Sequence, residues 1–453
     1  MATERNPAAP IPAVMRRPRV LIVGGCDVHR RIDLMRSLAD EFSLAAAGSE
    51  PALREQFDRA GFQYYHVPLG RGASPLADLR ALARLVRLFQ TIRPDIVHTF
   101  ATKPSVWGRV AARLAGVPVI IGTLPGLGSL YATRRLTARL LRAVYQPLQK
   151  LSCAVSSATI FQNDEDARQL IAAGTVSPQK AFVIPGSGIR TDLYHPASVP
   201  LAARIVARAE LGAAPGSIVV TMVSRVIRSK GVLEFAEAAA LVRRRHPNAE
   251  FVLIGPDDRE SLDHLTPAER EHVSRSVRWL GERQDIPALL AASDVFVLPS
   301  FYREGIPRAL LEAASMGLPL ITTTTPGCVE VVEDGRNGFL VPPRDPGSLA
   351  EAIERLIQAP RLRQSFGQAS RELAVSRFDI SVIAARTAAL YRELLAPARA
   401  ANPATADVVE HGAVTPAGPA NGAPPAGPRA TGPDHTGEWS ALAVPAALER
   451  QNL

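Results

Sequence analysis

The sequence predicts an α/β protein with two doubly wound, Rossmann-like domains facing a cleft, followed by a disordered C-terminal tail. Three observations predict it. Two series of short apolar segments alternate with helical stretches, a connector punctuated by Gly and Pro (Ile184–Pro196) separates them, and the composition shifts to Ala, Pro and Gly from Pro397 onward. Strand-length apolar runs alternating with helices are the pattern of βαβ units, whose parallel sheets are covered on both faces.

Taken in order, residues 1–17 read as a flexible lead and 18–190 as the N-terminal domain, with strands expected at Arg19–Val23, Tyr64–Val67, Asp95–His98, Val117–Ile121, Ala158–Phe161 and Phe182–Ile184. Residues 191–376 read as the second domain, with strands at Ile218–Val223, Glu250–Ile254, Val277–Leu280, Val295–Leu298, Leu318–Thr322 and Phe339–Val341. A closing helix is expected over 377–396 and a disordered tail, short of apolar anchors, over 397–453.

A chain of 453 residues accommodates two domains, and 47% hydrophobic residues supply their cores. No apolar run approaches the roughly 18–20 residues of a membrane span. The first twenty residues carry Pro and charge where a signal peptide needs an unbroken apolar stretch. Cys26, Cys153 and Cys328 are scattered, which argues against a disulfide framework or structural zinc and for a reducing cytoplasm. The net charge of +9 comes without a nucleic-acid-binding signature and with only 5% aromatics, so an anionic membrane surface or anionic substrate is expected rather than nucleic acid.

The densest chemical signal runs from Val295 to Gly317, VFVLPSFYREGIPRALLEAASMG. It reads as a buried strand, a loop carrying Glu304, and a helix that opens near Pro307, carries Glu312 and stops at Gly317. Ligands of open α/β sheets bind at the carboxyl ends of strands, where helix N-termini attract anions. On one regular helix the two carboxylates would lie about 80° apart; split between loop and helix, they address one elongated ligand from two points. Carboxylates beside an anion site suit a ligand with both hydroxyls and phosphates, and a nucleotide sugar fits. The bare E-x7-E spacing is equally compatible with two surface glutamates.

Arg225 and Lys230 follow the strand Ile218–Val223. A guanidinium fork with a point charge suits a diphosphate leaving group, whose negative charge grows as a glycosidic bond breaks. Gly24 and Gly25 follow the first strand, either as a tight turn or as a backbone approach to phosphate. His98 is expected at a strand end on the cleft, where it is either structural or a hydrogen-bonding partner of donor or acceptor. Two stripes, Arg80/Arg84/Arg87 and Arg135/Arg139/Arg142, mark basic helices that are either solvated faces or seats on anionic lipid.

The segment Val295–Gly317, continued by GCVEVVEDGRNGFLVPPRDPGSLAEAI, resembles the donor site of retaining glycosyltransferases of family 4, which have the two-domain GT-B fold. The similarity extends over roughly Arg19 to Ala396. It includes SRVIRSKGVLEF, the block VRWLGERQDIPALLAASDVFVLPS that normally holds the nucleotide base, and Pro94–Tyr131, which looks like the branch extending polyprenyl-diphosphate-linked saccharides for capsule, O-antigen or exopolysaccharide.

The resemblance implies a UDP-sugar donor (HexNAc or hexose), a polyprenyl-diphosphate-linked acceptor and a cytoplasmic enzyme peripheral on the inner face of the plasma membrane. It implies catalytic roles for Arg225, Lys230, Glu304 and His98, with Glu304 by the donor sugar. It implies donor binding by Glu312 (ribose), Gly24, Gly25, Glu282, Arg283, Gly305, Ile306 and Thr123. The implied transfer proceeds without a covalent enzyme intermediate, the departing phosphate taking the acceptor proton. No D-x-D has a supporting strand context, Asp257-Asp258 being only a loop pair, so no obligatory metal or other cofactor is expected.

Two departures from the family pattern stand out. Gly122-Thr123-Leu124-Pro125-Gly126 has proline where many relatives place a histidine, leaving Thr123, His98 or backbone to reach the sugar. Glu304-Gly305-Ile306-Pro307 replaces E-G-F-G and loses an amide donor at Pro307. A UDP-sugar epimerase and a non-catalytic nucleotide-sugar-binding scaffold are the competing readings.

Overall fold

The structure, a computed structural model, describes residues 16–69, 74–126, 128, 136–261 and 263–401; Arg135, residues 1–15 of the expected lead and the tail from 402 onward lie outside the described residues. The first sheet is formed by β1 (Arg19–Val23), β2 (Ser43–Gly48), β3 (Gln63–His66), β4 (Ile96–Phe100), β5 (Val119–Leu124), β6 (Ala158–Phe161) and β7 (Ala181–Val183). The second is formed by β8 (Ile218–Val223), β9 (Ala249–Ile254), β10 (Arg278–Trp279), β11 (Val295–Leu298), β12 (Leu320–Thr323) and β13 (Gly338–Val341).

The orders are β3-β2-β1-β4-β5-β6-β7 and β10-β9-β8-β11-β12-β13, with the pairings parallel. Each order reverses direction once, between β1 and β4 and between β8 and β11. At such a switch point the flanking connections leave on opposite faces and open a crevice at the carboxyl ends of the strands.

The apolar runs of the central strands are buried on both faces: Val20–Val23 and Val295–Leu298 are at most 2% exposed. Phe235, Phe251 and Phe296 fill the second core, with Phe235 and Phe251 ring centroids 5.7 Å apart. The helix Pro75–Ile92 turns Ala81, Leu85 and Phe89 inward and leaves Arg80, Arg84 and Arg87 in solvent.

Three expectations need correction. The strand β2 was not expected; its sequence SLAAAG lacks the β-branched and aromatic residues that mark strands, yet it pairs between β1 and β3. β4 runs on to Phe100, so His98 is an interior strand residue, 1% exposed, rather than a strand end on the cleft. The last helix, expected to end at 396, spans Ile380–Ala401 and packs back on the first sheet. There the Tyr391 hydroxyl lies 2.6 Å from His98 Nδ1, and its ring meets Phe42 edge-on at 5.3 Å.

His98 is thus fixed at both nitrogens, Nε2 lying 2.7 Å from Thr123 Oγ1. Burial, then the charge of Arg31, lowers its pKa from 6.5 to about 3. Between those values the unfolded chain binds a proton that the native protein does not. The stability His98 contributes is therefore complete above pH ~6.5 and is lost as pH falls toward 3, by at most about 1.4 kcal/mol per unit. Thermal melts should show wild type losing more stability than His98→Gln between pH 6.5 and 5; parallel profiles would contradict this account.

Candidate functional site

The switch point of the second sheet gathers the strongest sequence signals. After β8, a turn presents Lys230 and ends at Gly231, whose φ of 78° is a left-handed conformation suited to glycine. The turn is held from behind: Ser229 N donates to Asp263 Oδ2 at 2.7 Å, and Arg228 Nε donates to Glu269 Oε1 at 2.8 Å. After β11, Phe301 N donates to Ser229 O at 2.8 Å, joining the Lys230 turn to the loop that carries Glu304. A Cβ on Gly231 would stand 2.1 Å from Pro299 O, so only glycine allows the two loops to lie this close.

Lys230 Nζ and Glu304 Oε1 are 2.5 Å apart with side chains 10% and 16% exposed, and Ser300 Oγ donates to the same carboxylate oxygen at 3.2 Å. The Tyr302 ring centroid is 5.4 Å from Lys230 Nζ and 5.9 Å from Arg225 Cζ. Arg225 is balanced by Asp258 at 2.7 Å. One helix further, Glu312 is 8% exposed and accepts from Arg308 Nε at 2.9 Å and from the Tyr194 hydroxyl at 3.0 Å. The fold therefore brings Arg225, Lys230 and Glu304 together around Tyr302 and sets Glu312 on the helix Arg308–Ser315 that follows the same loop.

The Glu304 loop is also gripped from the first half of the chain. Gly305 N donates to Pro125 O at 2.6 Å, Ile306 N to Gln162 Oε1 at 3.1 Å, and Gly128 N to Arg303 O at 2.9 Å. Arg303 Nη2 donates to Asp166 Oδ1 at 2.8 Å and to Gln169 Oε1 at 2.7 Å. Gly126 has a φ of 126°, and a Cβ there would lie 2.4 Å from Gly305 N.

Several expected positions move as a result. The amides of Gly305 and Ile306 are engaged by protein acceptors, because the clamp uses them. Thr123 is 4% exposed with its hydroxyl against His98, so both replacements proposed for the missing histidine are interior, and the backbone of Pro125 holds the loop instead. Gly24 N donates to Ala47 O at 2.9 Å, continuing the β1–β2 ladder past Val23, while Gly25 lies in the loop after β1 beside Pro104. Arg283 is tied to Asp285 and Glu210 at 2.6 and 2.7 Å, Glu282 is exposed, and neither contacts the Arg225–Glu304 cluster. Asp257 and Asp258 are committed to arginines, Asp257 to Arg259 and Arg270, Asp258 to Arg225.

Tyr302, Arg303, Arg308, Tyr194 and Gln162 were not singled out from sequence. The first three lie inside FYREGIPR, where an aromatic and two arginines flanking Glu304 were an available signal.

Two family models match the chain: "Glycosyl transferase 4-like domain" over residues 27–186 and "Glycosyl transferases group 1" over 217–359. A UDP-Gal:alpha-D-GlcNAc-diphosphoundecaprenol alpha-1,3-galactosyltransferase of Escherichia coli is 34% identical over 333 residues, 72% of this chain and 82% of its own. The chain belongs to the family 4 glycosyltransferases. The N,N'-diacetylbacillosaminyl-diphospho-undecaprenol alpha-1,3-N-acetylgalactosaminyltransferase of Campylobacter jejuni is 30% identical over 326 residues, covering 71% of this glycosyltransferase and 83% of the relative. Among solved structures, Anabaena HepE in complex with UDP and glucose superposes with a TM-score of 0.69 at 21% identity, covering 83% of this chain and 100% of HepE. A Rickettsia africae glycosyltransferase superposes at 0.70 and 18% identity, covering 84% and 99%. The two-sheet GT-B fold expected from sequence is the fold these structures share with this glycosyltransferase, and membership in an enzyme family sets the scaffold reading aside.

Two tests follow from the geometry. Lys230→Ala strands a mostly buried carboxylate, which should cost about 3 kcal/mol; adding Glu304→Gln should recover most of that stability in denaturant titrations without recovering turnover. Gly126→Ala should lower the melting temperature and turnover together, since φ strain and the clash with Gly305 both push the Glu304 loop out of place. Unchanged activity in Gly126→Ala would mean that the clamp does not position the loop.

Proposed function

We propose that this glycosyltransferase moves a sugar, HexNAc or hexose, from a UDP-sugar to a polyprenyl-diphosphate-linked saccharide in capsule, O-antigen or exopolysaccharide synthesis, with retention of configuration. The observation that carries the reading is the grouping of Arg225, Lys230 and Glu304 around Tyr302 at the β8/β11 switch point. The relatives named above act on diphosphoundecaprenol-linked sugars, and HepE is a fold neighbour solved with UDP. Residues 18–190 form the acceptor side and 191–376 the nucleotide-sugar side on this reading.

In the proposed reaction Glu312 takes the ribose hydroxyls, and Arg225 and Lys230 take the diphosphate. As the glycosidic bond lengthens, charge accumulates on the β-phosphate, and fixed cations there stabilise the transition state more than the ground state. Glu304, released from Lys230 when phosphate arrives, orients the sugar hydroxyls rather than attacking carbon. The departing phosphate oxygen takes the acceptor proton on the face from which the acceptor attacks.

A peripheral seat on the inner face of an anionic membrane belongs to the same proposal. The helix Pro75–Ile92 carries exposed Arg80, Arg84 and Arg87 beside Leu76 and Leu79, which are 65% and 57% exposed. Cations with neighbouring apolar side chains suit a headgroup boundary. Among the described residues no helix is long and apolar enough to cross a membrane.

Arg225→Ala should reduce turnover by roughly 10²–10³ with the protein still folded, measured as UDP release with a polyprenyl-linked acceptor. Saturating UDP, at 100 times its Kd, should add about 2.7 kcal/mol of stability and raise the melting temperature by several degrees, an effect absent with GDP and ADP and lost in Glu312→Ala. An isomeric UDP-sugar formed without acceptor would replace transfer by epimerisation.

A further inference from the structure

The carboxylate assigned to the ribose is held by a residue from outside its own helix. Tyr194 belongs to the connector between the two series of strands, and its hydroxyl donates to Glu312 Oε1 at 3.0 Å. Arg308, one turn before Glu312 on the same helix, donates from Nε to that same oxygen at 2.9 Å. Oε2 takes no hydrogen bond from a described residue, yet it is not sealed in the interior, and the side chain keeps 11% exposure. Both donors therefore converge on one oxygen, and the other is left to a ligand.

Two donors on one oxygen are not redundant. Arg308 rides on the helix that carries Glu312 and fixes the side chain relative to that helix alone, and the Asp33 carboxylate also acts on its charge. A glutamate gripped from one direction still turns about its terminal bonds. Tyr194 approaches from a different element, and two crossed directions leave the carboxylate one orientation. The phenol suits this task. Burial, then the charge of Glu312, pushes it above its ordinary pKa against the opposing pull of Arg308, so it stays protonated and donating. Being neutral, it holds Oε1 without cancelling the charge that attracts ribose hydroxyls.

Tyr194 is itself fixed. Its N donates to Arg190 O at 2.9 Å, and its carbonyl accepts from Ser315 Oγ at 2.7 Å and from Arg371 Nη1 at 2.8 Å. The same Arg371 nitrogen donates to Thr191 O at 2.8 Å and Ser315 O at 2.7 Å. Ser315 ends the helix Arg308–Ser315, so the connector is fastened to the helix that bears Glu312 at two points, by the hydroxyl and by the backbone.

We propose that Tyr194 is a positioning residue for the nucleotide: by holding Glu312 Oε1 it turns Oε2 toward the ribose diol, and so makes the site select ribonucleotides over their deoxy counterparts. The assignment rests on the reading above in which Glu312 takes the ribose hydroxyls, and it adds the group that makes this carboxylate effective.

Calorimetric titration of the full chain with UDP and with dideoxy-UDP, which lacks both ribose hydroxyls, tests this. Wild type should prefer UDP by about tenfold or more, as expected for hydrogen bonds to a charged acceptor. Tyr194→Phe keeps the ring and its packing, so the protein stays folded. It should weaken UDP by about fivefold and leave dideoxy-UDP unchanged, so that the preference shrinks. Glu312→Ala should abolish the preference, and Tyr194→Phe added to it should weaken UDP no further. Equal weakening of both nucleotides in Tyr194→Phe, as a merely structural residue would give, overturns the positioning role. So does an unchanged preference in that variant while Glu312→Ala loses it. A preference kept by Glu312→Ala, or absent from wild type, is a separate result: the ribose assignment itself fails, and the role of Tyr194 falls with it.

Discussion

The structure depends on the clamp that holds Arg303–Ile306 between the two halves of the chain. Three backbone-directed hydrogen bonds and the Arg303 guanidinium fasten the loop to Pro125, Gly128, Gln162 and the helix Asp164–Ala172. On its other side the same loop meets the second sheet, where a Cβ on Gly327 would lie 1.6 Å from Gly305 O. The position of Glu304 is therefore set by both sheets at once, and a change in the angle between them must move this carboxylate or break the clamp. Neither Pro125 nor Pro307 is then merely a lost side chain or a lost amide. Pro125 offers its carbonyl in a rigid turn, and Pro307 stands before the helix without adding a donor that would need satisfying.

Much of this was legible in the sequence because its signals are local. Buried parallel strands are continuous apolar runs, and β8 and β11 matched their expected limits, Ile218–Val223 and Val295–Leu298. The Lys230 and Glu304 loops follow directly, since ligand groups in such sheets come from the residues just past the strand ends. What was missed depends on distant partners. β2 is alanine-rich and forms because β1 and β3 on either side supply the pairing. His98 has the composition of a ligand group, but Tyr391, 293 residues away in sequence, closes over it. Likewise, nothing within EGIP announces that its amides will be taken by Pro125 and Gln162.

The charges of the site are already paired before any ligand arrives: Lys230 with Glu304, Arg308 with Glu312, Arg225 with Asp258. On the donor reading, binding is then an exchange rather than a simple addition. Phosphate oxygens displace the carboxylates from Arg225 and Lys230, and the freed carboxylate of Glu304 finds sugar hydroxyls in place of the ammonium. Before binding, each of these charges has its partner, which keeps the empty site stable. The net gain per exchanged pair is small, because one charge-assisted contact replaces another. What distinguishes the ligand is that a diphosphate carries more than one charge and engages both cations together, whereas each carboxylate engages one. On that reading a nucleoside monophosphate or a free sugar satisfies only part of the exchange.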